Sequence, residues 1–500
     1  MAQIPVSADE SELAKSTEAD GVQTASGTGG AFGLKGFGWA IFEWARNPYY
    51  NVIVIYVFAT YFSQVIMGGG AEGQAAVARV VEIAGYIMAI SAPILGIIVD
   101  KGGSKKGFVF AALLILGLCA MGLGWVKPGV DNVVVYGMTL MVIGYCSYTV
   151  CELLHNAMLP AAGAPKALPM ISGLGLFMGN IAGVLMLIGL LLANEFMPMF
   201  KDIPGGVGSI SGPVVAIWLA VFIAPFFLFL PDHKGAMGSW SKAVAHTFTP
   251  PSLRLWGGPP VLNILWSLPM NVFVFIVKKF KESPQVMKFL LARMIYADGI
   301  AVLLVLGGVY VAGVLQWSQS EVLVYGITGS LIGAVGGLVG GKLDGWFGPK
   351  RALIIELTAI CIILTIQISV TQETILFGLI PAGHEVWTGL GTGFFTSLAD
   401  IFYFLMIVPA AIAIVACISS SRYMLVHISP PEKIGEFFGF YAMAGSVTVW
   451  MGPLLVRVMT EHFNDQRMGF SFVGLLFLIG LLVLLTVKAD KTPEHMKTAT

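Results

Sequence analysis

The stretch Gly96-Ile-Ile-Val-Asp100-Lys101-Gly-Gly103-Ser-Lys-Lys, residues 96–106, returns as Gly340-Gly-Lys-Leu-Asp344-Gly-Trp-Phe-Gly348-Pro-Lys350-Arg351, residues 340–351. Each copy has a glycine, an aspartate four residues later, a second glycine and then a basic pair. Each copy also follows an apolar run that is long enough to cross a membrane. Two copies of one loop predict a chain made of two repeated halves. Repeated halves are typical of secondary transporters, in which the substrate site lies between the halves.

The composition independently predicts a membrane protein. Hydrophobic residues make up 57% of the 500 residues, whereas Asp, Glu, Lys and Arg make up only 11%. A soluble fold of this length has more surface than so few charges can cover. The 28 basic residues balance the 28 acidic ones, so no net field attracts a polyanion. We therefore predict a polytopic helical membrane protein, which excludes an ordinary soluble enzyme, a disordered chain and a protein that binds nucleic acid.

Twelve apolar runs have the length that a bilayer-crossing helix needs. Their predicted ranges are 38–66, 76–99, 107–126, 132–158, 170–194, 213–230, 287–314, 321–343, 351–371, 400–426, 434–458 and 467–488. The predicted fold is all-α, with twelve transmembrane helices in two pseudo-symmetric six-helix bundles. We number these helices span 1 to span 12.

The bundles are flanked and joined by segments of other composition. We predict a disordered cytoplasmic N-terminal tail at 1–36, bundles at 37–230 and 287–488, and a cytoplasmic C-terminal tail at 489–500. The central loop, 231–286, is predicted to be cytoplasmic and to contain an interfacial helix at 261–277. The stretch 372–399 is apolar but rich in Gly and Thr, and we expect a re-entrant or surface helix there.

The distribution of basic residues predicts the orientation. With the N-terminus inside, 20 of the 28 Lys and Arg residues fall on the cytoplasmic side of the twelve-span arrangement, and 5 fall outside. Because positive charge is retained on the cytoplasmic side, both termini are expected to be cytoplasmic. The expected location is a cell membrane, specifically a bacterial inner membrane.

Charged residues well inside the predicted spans fall on four helices, and those of spans 2, 8, 9 and 11 lie only near the span ends. Spans 1, 4, 7 and 10 carry Glu43, Arg46, Glu152, His155, Arg293, Asp298 and Arg422. A charge inside a bilayer costs several kcal/mol, so such residues face a partner or a water-filled cavity. We therefore take them as candidates for binding the substrate or a coupling proton.

Depth separates these candidates into two groups. At 1.5 Å per residue, Glu43 and Arg293 lie roughly 9 Å from the cytoplasmic start of their helices, and Asp298 lies roughly 16 Å deep. The shallower charges are equally compatible with a cytoplasmic gate of salt bridges that closes an outward-facing state. Asp298 is the leading candidate for binding a proton or a substrate ammonium group, with Arg293 or Arg46 as its expected partner.

Other chemistry is not expected from the sequence. The five cysteines lie in apolar runs without paired spacing, which predicts neither disulfides nor zinc. The Glu152-Leu-Leu-His155 motif occurs once, whereas carboxylate-bridged metal bundles use two, so we expect no metal. No cofactor is expected, and no nucleophile–base pair indicates an enzyme. The expected partners are a small-molecule solute, protons and the lipid bilayer, and the chain is expected to be a monomer.

Three further stretches form recognisable motifs, namely Trp39-Ala-Ile-Phe-Glu43-Trp-Ala-Arg46-Asn47, Phe289-Leu-Leu-Ala-Arg293-Met-Ile-Tyr296-Ala-Asp298-Gly299, and the segment from Ser421-Arg422 through Ser429-Pro430 to Tyr441. Together with the repeated loop, they resemble the vacuole-effluxer-like branch of the major facilitator superfamily, the autophagy-related permeases and their bacterial relatives. The resemblance covers most of residues 37–488. It departs from the family pattern at Glu43, where Asp is usual, and at Arg46, which is inserted before Asn47.

The resemblance implies that helices 1, 4, 7 and 10 line a central cavity, which agrees with the placement of the charges. It also implies rocker-switch transport of a small polar solute, and amino-acid efflux is the activity associated with the fungal members. Asn47 joins the candidate site residues on this basis. Two alternatives stay open: a lipid or muropeptide flippase on the same fold, and a membrane sensor that does not transport.

Glycines in the repeated loops and in span 8 predict close helix packing. We expect Gly96, Asp100, Lys101 and Gly103, with Gly340, Asp344, Gly348, Lys350 and Arg351, to govern interconversion between transport states. Span 8 also carries Gly329, Gly333, Gly337 and Gly341 at every fourth position, a ridge that favours contact with another helix. Glu356, five residues past Arg351, is expected to pair with the basic residues of its loop.

The predicted orientation can be tested at Lys242 in the central loop. A single cysteine introduced there should react with a membrane-impermeant maleimide only after the cells are opened, because the loop is predicted to be cytoplasmic. A cysteine at Lys127, in a predicted external loop, is the matched control and should react in intact cells. Efficient labelling at position 242 in intact cells would overturn the twelve-span arrangement.

Overall fold

The computed structural model describes most residues of the two bundles, and several connecting segments lie outside the described residues. The described residues are 33–101, 104–163, 167–197, 203–232, 239, 278–382, 393–430, 437, 440–441, 445 and 448–489. Within these, the side chains of 92–94, 96–101, 160 and 168–169 are not described. The predicted interfacial helix at 261–277 and nearly all of both predicted tails lie outside the described residues.

Long helices occupy almost all of the predicted spans. In spans 1 to 6 the helices are Leu34–Pro48 with Phe58–Tyr61, Gly70–Lys101, Lys105–Gly122, Val133–Asn156, Leu168–Phe196, and Gly206–Phe222 with Ala224–Phe229. In spans 7 to 10 and 12 they are Pro284–Val314, Gln319–Phe347, Pro349–Ile368, Leu398–Ile428, and Gln466–Ser471 with Val473–Leu485. Short 3₁₀ turns at Leu123–Trp125 and Leu159–Ala162 follow spans 3 and 4.

Among the described residues, eleven helices are long and apolar enough to cross a membrane. They correspond to predicted spans 1 to 10 and 12. Span 11 falls on a segment of which only part is described, and there the structure shows the helix Met451–Phe463. The all-α polytopic fold predicted from the sequence is confirmed.

Span 1 changes its helical geometry after Pro48. Its first part is α-helical, but Tyr49–Tyr56 and Phe62–Ile66 form wider π-helical turns. Proline lacks a backbone N–H and its ring crowds the preceding turn, so the regular hydrogen-bond ladder is interrupted there. The π turns lie directly after the charged residues of span 1, and such turns recur at functional sites in other helices.

The two halves meet on one side of the membrane domain. We call the side at which span 1 begins, at Leu34, the N-side, and the opposite side, where span 1 ends at Ile66, the far side. The Asn194 amide donates to the Ser320 hydroxyl over 2.8 Å, and the Gln319 amide donates to the Tyr56 carbonyl over 3.2 Å. These contacts join spans 5 and 1 of the first half to span 8 of the second half on the far side.

Spans 2 and 11 add ion pairs to the same closure. Arg457 lies 2.5 Å from the Glu82 carboxylate, and Arg79 lies 2.5 Å from the Glu461 carboxylate. The Gln74 amide also donates to the Thr460 hydroxyl over 2.9 Å. The structure therefore shows a conformation in which the far side is closed by contacts between the halves.

Part of the predicted helix at 372–399 is instead a β-hairpin. Strand β1, Thr374–Ile375, pairs antiparallel with strand β2, Ile380–Pro381. The chain turns at Gly378, whose φ of 92° is readily accessible to glycine. A helix was therefore the wrong prediction for this part of the stretch, because its β-branched residues flank a glycine turn. Residues 383–392 lie outside the described part.

Span 8 packs against span 10 through glycines, but only some of the predicted ridge is in contact. A Cβ atom at Gly336 would lie 2.7 Å from the Ile412 carbonyl oxygen, and one at Gly340 would lie 2.9 Å from the Ala416 Cα atom. A Cβ at Gly337 or Gly341 would meet nothing within 4 Å. A row of every fourth residue drifts around a helix that has 3.6 residues per turn, so the contact passes to residues spaced three and four apart.

This packing predicts different effects for two neighbouring glycines. Gly340→Val should force spans 8 and 10 apart and lower stability by about 1–3 kcal/mol, the usual cost of overpacking. Gly341→Val adds the same side chain where there is open space, so it serves as the matched control and should leave stability nearly unchanged. The thermal unfolding midpoint in detergent measures both, and equal midpoints would contradict the packing described.

Candidate functional site

Arg46 of span 1 lies at the centre of a buried ionic cluster. Its Nη2 atom donates to both carboxylate oxygens of Glu43, over 3.1 and 2.9 Å. The two residues are three apart on the helix and therefore share a face. Arg46 is only 3% exposed, so its charge depends on protein partners rather than on water.

Span 4 supplies the remaining partners of Arg46. Nη1 donates to the Tyr148 carbonyl oxygen over 3.2 Å and lies 3.5 Å from the Glu152 carboxylate. The guanidinium group also lies over the Tyr148 ring, 4.1 Å from its centroid. The Glu152 side chain is 50% exposed, whereas Arg46 and Glu43 are buried. Arg46 thus contacts one buried carboxylate, Glu43, and one half-exposed carboxylate, Glu152.

His155 completes the cluster from the next turn of span 4. Its ring is stacked between Trp39 and Phe42, with ring centroids 4.0 and 4.1 Å away. Its Nε2 atom lies 2.9 Å from the Trp39 carbonyl oxygen, and its Nδ1 atom lies 3.1 Å from Glu43 Oε1. Glu43, Arg46, Glu152 and His155 therefore form one connected group, which we call the N-half cluster.

Asn47 adjoins the N-half cluster, and glycines allow the surrounding helices to approach. The Tyr148 hydroxyl donates to Asn47 Oδ1 over a long 3.4 Å. A Cβ atom on Gly179 of span 5 would lie 3.2 Å from Glu43 Cβ and 3.3 Å from Asn47 Cβ. Glycine at this position lets span 5 pack directly over the charged face of span 1. The five predicted site residues of spans 1 and 4 are thus brought together.

Asp298 lies in the middle of span 7 but does not have the expected partner. It is 3% exposed, and its Oδ1 atom accepts a hydrogen bond from the Thr448 hydroxyl over 3.1 Å. Neither candidate cation, Arg293 or Arg46, forms a described ion pair with it in this conformation. Arg293 lies five residues away, which at 3.6 residues per turn places it on another face of the helix. Arg46 instead forms an ion pair with Glu43 in the other half.

The two candidate arginines of the second half, Arg293 and Arg422, lie in separate surroundings. Arg293 donates to the Tyr441 carbonyl oxygen over 2.9 Å, and its guanidinium lies 3.4 Å from the centroid of the Tyr441 ring. Arg422 is exposed near the N-side end of span 10. Between these positions, the Tyr296 hydroxyl and the Ser421 hydroxyl form a buried 2.7 Å hydrogen bond. The second half therefore holds its charges apart, whereas the first half gathers them.

Sequence reasoning missed the groups that hold the charged residues. Trp39, Tyr148, Tyr441 and Thr448 supply ring faces, carbonyl oxygens or a hydroxyl to the candidates. Trp39 and Tyr148 carried a usable signal, because each lies four residues from a charged candidate on its own helix. Tyr441 ends one of the stretches that carry the family resemblance, but its contact with Arg293 has no local signal, and Thr448 carried no signal at all, because both lie far along the chain from the residues that they contact.

The repeated loops are held by backbone carbonyl groups. In the second copy, the Lys350 ammonium donates to the Leu485 carbonyl over 3.3 Å, Gly348 turns the chain with a φ of 77°, and Asp344 is 9% exposed. Glu356 accepts a hydrogen bond from the Ser420 hydroxyl over 2.9 Å. Its expected pairing with the loop cations was wrong, because the side chain points toward span 10.

The first copy of the loop is only partly described. Gly96, Asp100 and Lys101 lie on the helix of span 2 without described side chains, and Gly103 lies outside the described residues. The backbone amides of Lys105 and Lys106 donate to Asp232 Oδ1 over 3.0 and 3.2 Å. Their ammonium groups donate to the carbonyl oxygens of Ala157 and Phe227, over 3.2 and 2.7 Å. This loop is therefore attached to the ends of spans 4 and 6.

Among the described residues, the candidate charges form no ion pair between the halves in this conformation. The ion pairs of Glu43 and Glu152 stay within the first half, and the Arg293 contacts stay within the second. The ion pairs described between the halves lie in the far half, at Glu82–Arg457 and Arg79–Glu461. Over the described ranges, no three His, Cys, Asp or Glu side chains converge as metal ligands.

Comparison with known sequences gives related transporters. A family model described as "Vacuole effluxer Atg22 like" matches residues 165–497. An uncharacterised MFS-type transporter of Bacillus subtilis, YxiO, is 21% identical over 463 residues, which are 91% of this chain and 95% of that protein. Autophagy-related protein 22-1 of Penicillium rubens is 23% identical over 301 residues, 57% of this chain. The match spans 48% of that fungal protein, about half of its length.

Solved structures of similar fold are also transporters. A peptide transporter, POT, in complex with sulfate superposes with a TM-score of 0.61 at 13% identity, over 95% of this chain and 97% of that one. The D-xylose-proton symporter gives 0.59 at 13% identity, over 93% and 100%. At this identity the likeness shows the fold alone. Taken with the family match over two thirds of its residues, the chain belongs to the vacuole effluxer Atg22-like family of major facilitator superfamily membrane transporters.

Proposed function

We propose that this transporter moves a small polar or zwitterionic solute, such as an amino acid or a related metabolite, by alternating access coupled to protons. The observation that carries the proposal is the position of Arg46 between the buried Glu43 and the half-exposed Glu152. Charges buried at this depth are costly and are retained in membrane proteins chiefly for function.

The chemistry of the N-half cluster suits a solute that carries both charges. Glu152 offers an exposed carboxylate to a solute ammonium group, and Arg46, directly behind it, offers a guanidinium to a solute carboxylate. Asn47 and the Tyr148 ring border the same place and supply an amide and an aromatic face. An apolar solute would gain nothing from these groups and would leave their charges unsolvated.

The arrangement of the halves supports alternating access. The far side is closed by contacts between the halves, while the N-half cluster is held within one half, so separating the halves would leave it intact. We propose from the excess of basic residues that the N-side is cytoplasmic, so that closure of the far side corresponds to an inward-facing state of an inner-membrane protein. We propose that the chain acts as a monomer and that the two repeated loops control the rate of interconversion.

The names of the structural neighbours are compatible with this class of solute. They include a peptide transporter, a D-xylose-proton symporter and a nucleoside transporter, NupG. Each of these moves a polar solute on the same fold, and the symporter couples its solute to protons. The neighbours support the solute class only through the shared fold, so the proposal depends on the charges described here.

Asp298 is the residue proposed to couple transport to protons in the second half. It is buried at mid-helix, and its described hydrogen-bond partner is a threonine hydroxyl rather than a cation. Asp298→Asn should keep the fold and allow exchange of solute across the membrane. It should abolish accumulation against a gradient, because the amide cannot take up a proton.

The measurement is uptake of radiolabelled amino acids into proteoliposomes with an imposed pH gradient, alongside counterflow without one. Thr448→Val is the matched control, since it removes the hydrogen bond but keeps the carboxyl group, and it should retain accumulation. A well-folded Asp298→Asn protein that accumulates solute as the unmodified protein does would contradict the coupling role. Loss of detergent stability in Asp298→Asn would indicate a structural role instead.

A further inference from the structure

The His155 ring is fixed in one orientation. Trp39 and Phe42 cover its two faces, and the Trp39 indole N–H donates to the His155 carbonyl oxygen over 3.0 Å. The Nε2 atom lies 2.9 Å from the Trp39 carbonyl oxygen. A carbonyl oxygen can only accept a hydrogen bond, so Nε2 carries a hydrogen. The ring is completely buried, which leaves no water to replace this bond.

The other ring nitrogen faces a carboxylate. Nδ1 lies 3.1 Å from Glu43 Oε1. The in-plane direction at Nδ1 does not point at this oxygen as a regular hydrogen bond requires, so the contact is electrostatic. A neutral His155 whose hydrogen is on Nε2 has a lone pair on Nδ1. The electron-rich Nδ1 atom would then lie 3.1 Å from an ionised carboxylate oxygen in a buried site, which is repulsive whatever the exact ring direction. One additional proton, on Nδ1 or on Glu43, removes the repulsion.

The charges around the pair lead to the same requirement. Arg46 supplies one positive charge, whereas Glu43 and Glu152 supply two negative charges. Span 4 also presents Tyr148 and Cys151, span 5 presents Gly175 and Gly179, and the end of span 6 presents Phe226. These other groups are neutral in their ordinary forms. Counted together with the half-exposed Glu152, the N-half cluster carries one net negative charge, which one more proton would balance.

We propose that Glu43 and His155 hold one exchangeable proton between them and form a proton-binding site of the first half, separate from Asp298. Arg46 connects this site to the exposed Glu152, because it contacts both Glu43 and Glu152. A solute carboxylate that binds beside Glu152 and draws Arg46 toward itself weakens the hold of Arg46 on Glu43 and strengthens the binding of the proton. Binding of the proton and of a carboxylate-bearing solute therefore favour each other, and by linkage the effect is reciprocal.

The role in coupling rests on the proposed transport function, whereas the protonation itself can be measured without any solute. The measurement is ¹⁵N NMR of histidine-labelled, full-length protein in lipid nanodiscs near neutral pH, with an infrared spectrum of the same sample. His155→Gln identifies the His155 signals. His462→Gln, a histidine at the far side, is the matched control and should remove one unrelated pair of signals.

We expect both ring nitrogens of His155 to be protonated, or a carboxylic-acid C=O band that disappears in Glu43→Gln. In Glu43→Gln the neutral amide can donate to Nδ1, so this nitrogen should lose its proton. An unprotonated Nδ1 in the unmodified protein, with no carboxylic-acid band sensitive to Glu43→Gln, would overturn the proposal. If the proton is present but no solute drives proton flux in proteoliposomes, the transport proposal fails and the proton site stands.

Discussion

The buried guanidinium of Arg46 imposes the constraint on which the first half depends. A membrane interior offers no water to solvate this group, so its hydrogen bonds and its charge must be satisfied by the protein. Glu43 meets the need from the same helix, and Tyr148 and Glu152 meet it from span 4. Spans 1 and 4 are consequently fixed against each other in register, and His155 is positioned one turn beyond Glu152.

This arrangement separates the interactions that hold each half together from those that join the halves. The N-half cluster and the attachment of Lys105 and Lys106 to neighbouring helix ends stay within one half. The ion pairs of Arg457 and Arg79 cross between the halves on the far side. In the proposed alternating access, the halves separate on the far side by breaking contacts such as the Glu82–Arg457 ion pair, while the N-half cluster keeps its partners. Rigid-body movement of this kind is a common form of conformational change in proteins with two lobes.

The sequence predicted those features that depend on the bilayer or on local spacing. A helix must span the hydrocarbon layer, so apolar runs marked the helices to within a few residues over most of the chain. Glu43 with Arg46, and Glu152 with His155, are three residues apart, a spacing that places each pair on one face of its helix. Features that depend on packing between distant segments were not predictable. Asp298 meets Thr448 and Glu356 meets Ser420 because of the register of neighbouring helices, and nothing local in the sequence specifies that register.

Alternating access about an intact N-half cluster is the central claim, and the distance between the halves on the far side tests it most directly. Spin labels attached to cysteines at positions 72 and 462, after replacement of the five native cysteines, report this distance. Pulsed electron paramagnetic resonance in nanodiscs measures it. We expect a short-distance population, from the closure described here, together with a longer one. Arg457→Gln should enlarge the longer population, because it removes the ion pair with Glu82. A single short distance in both proteins would contradict alternating access between these halves.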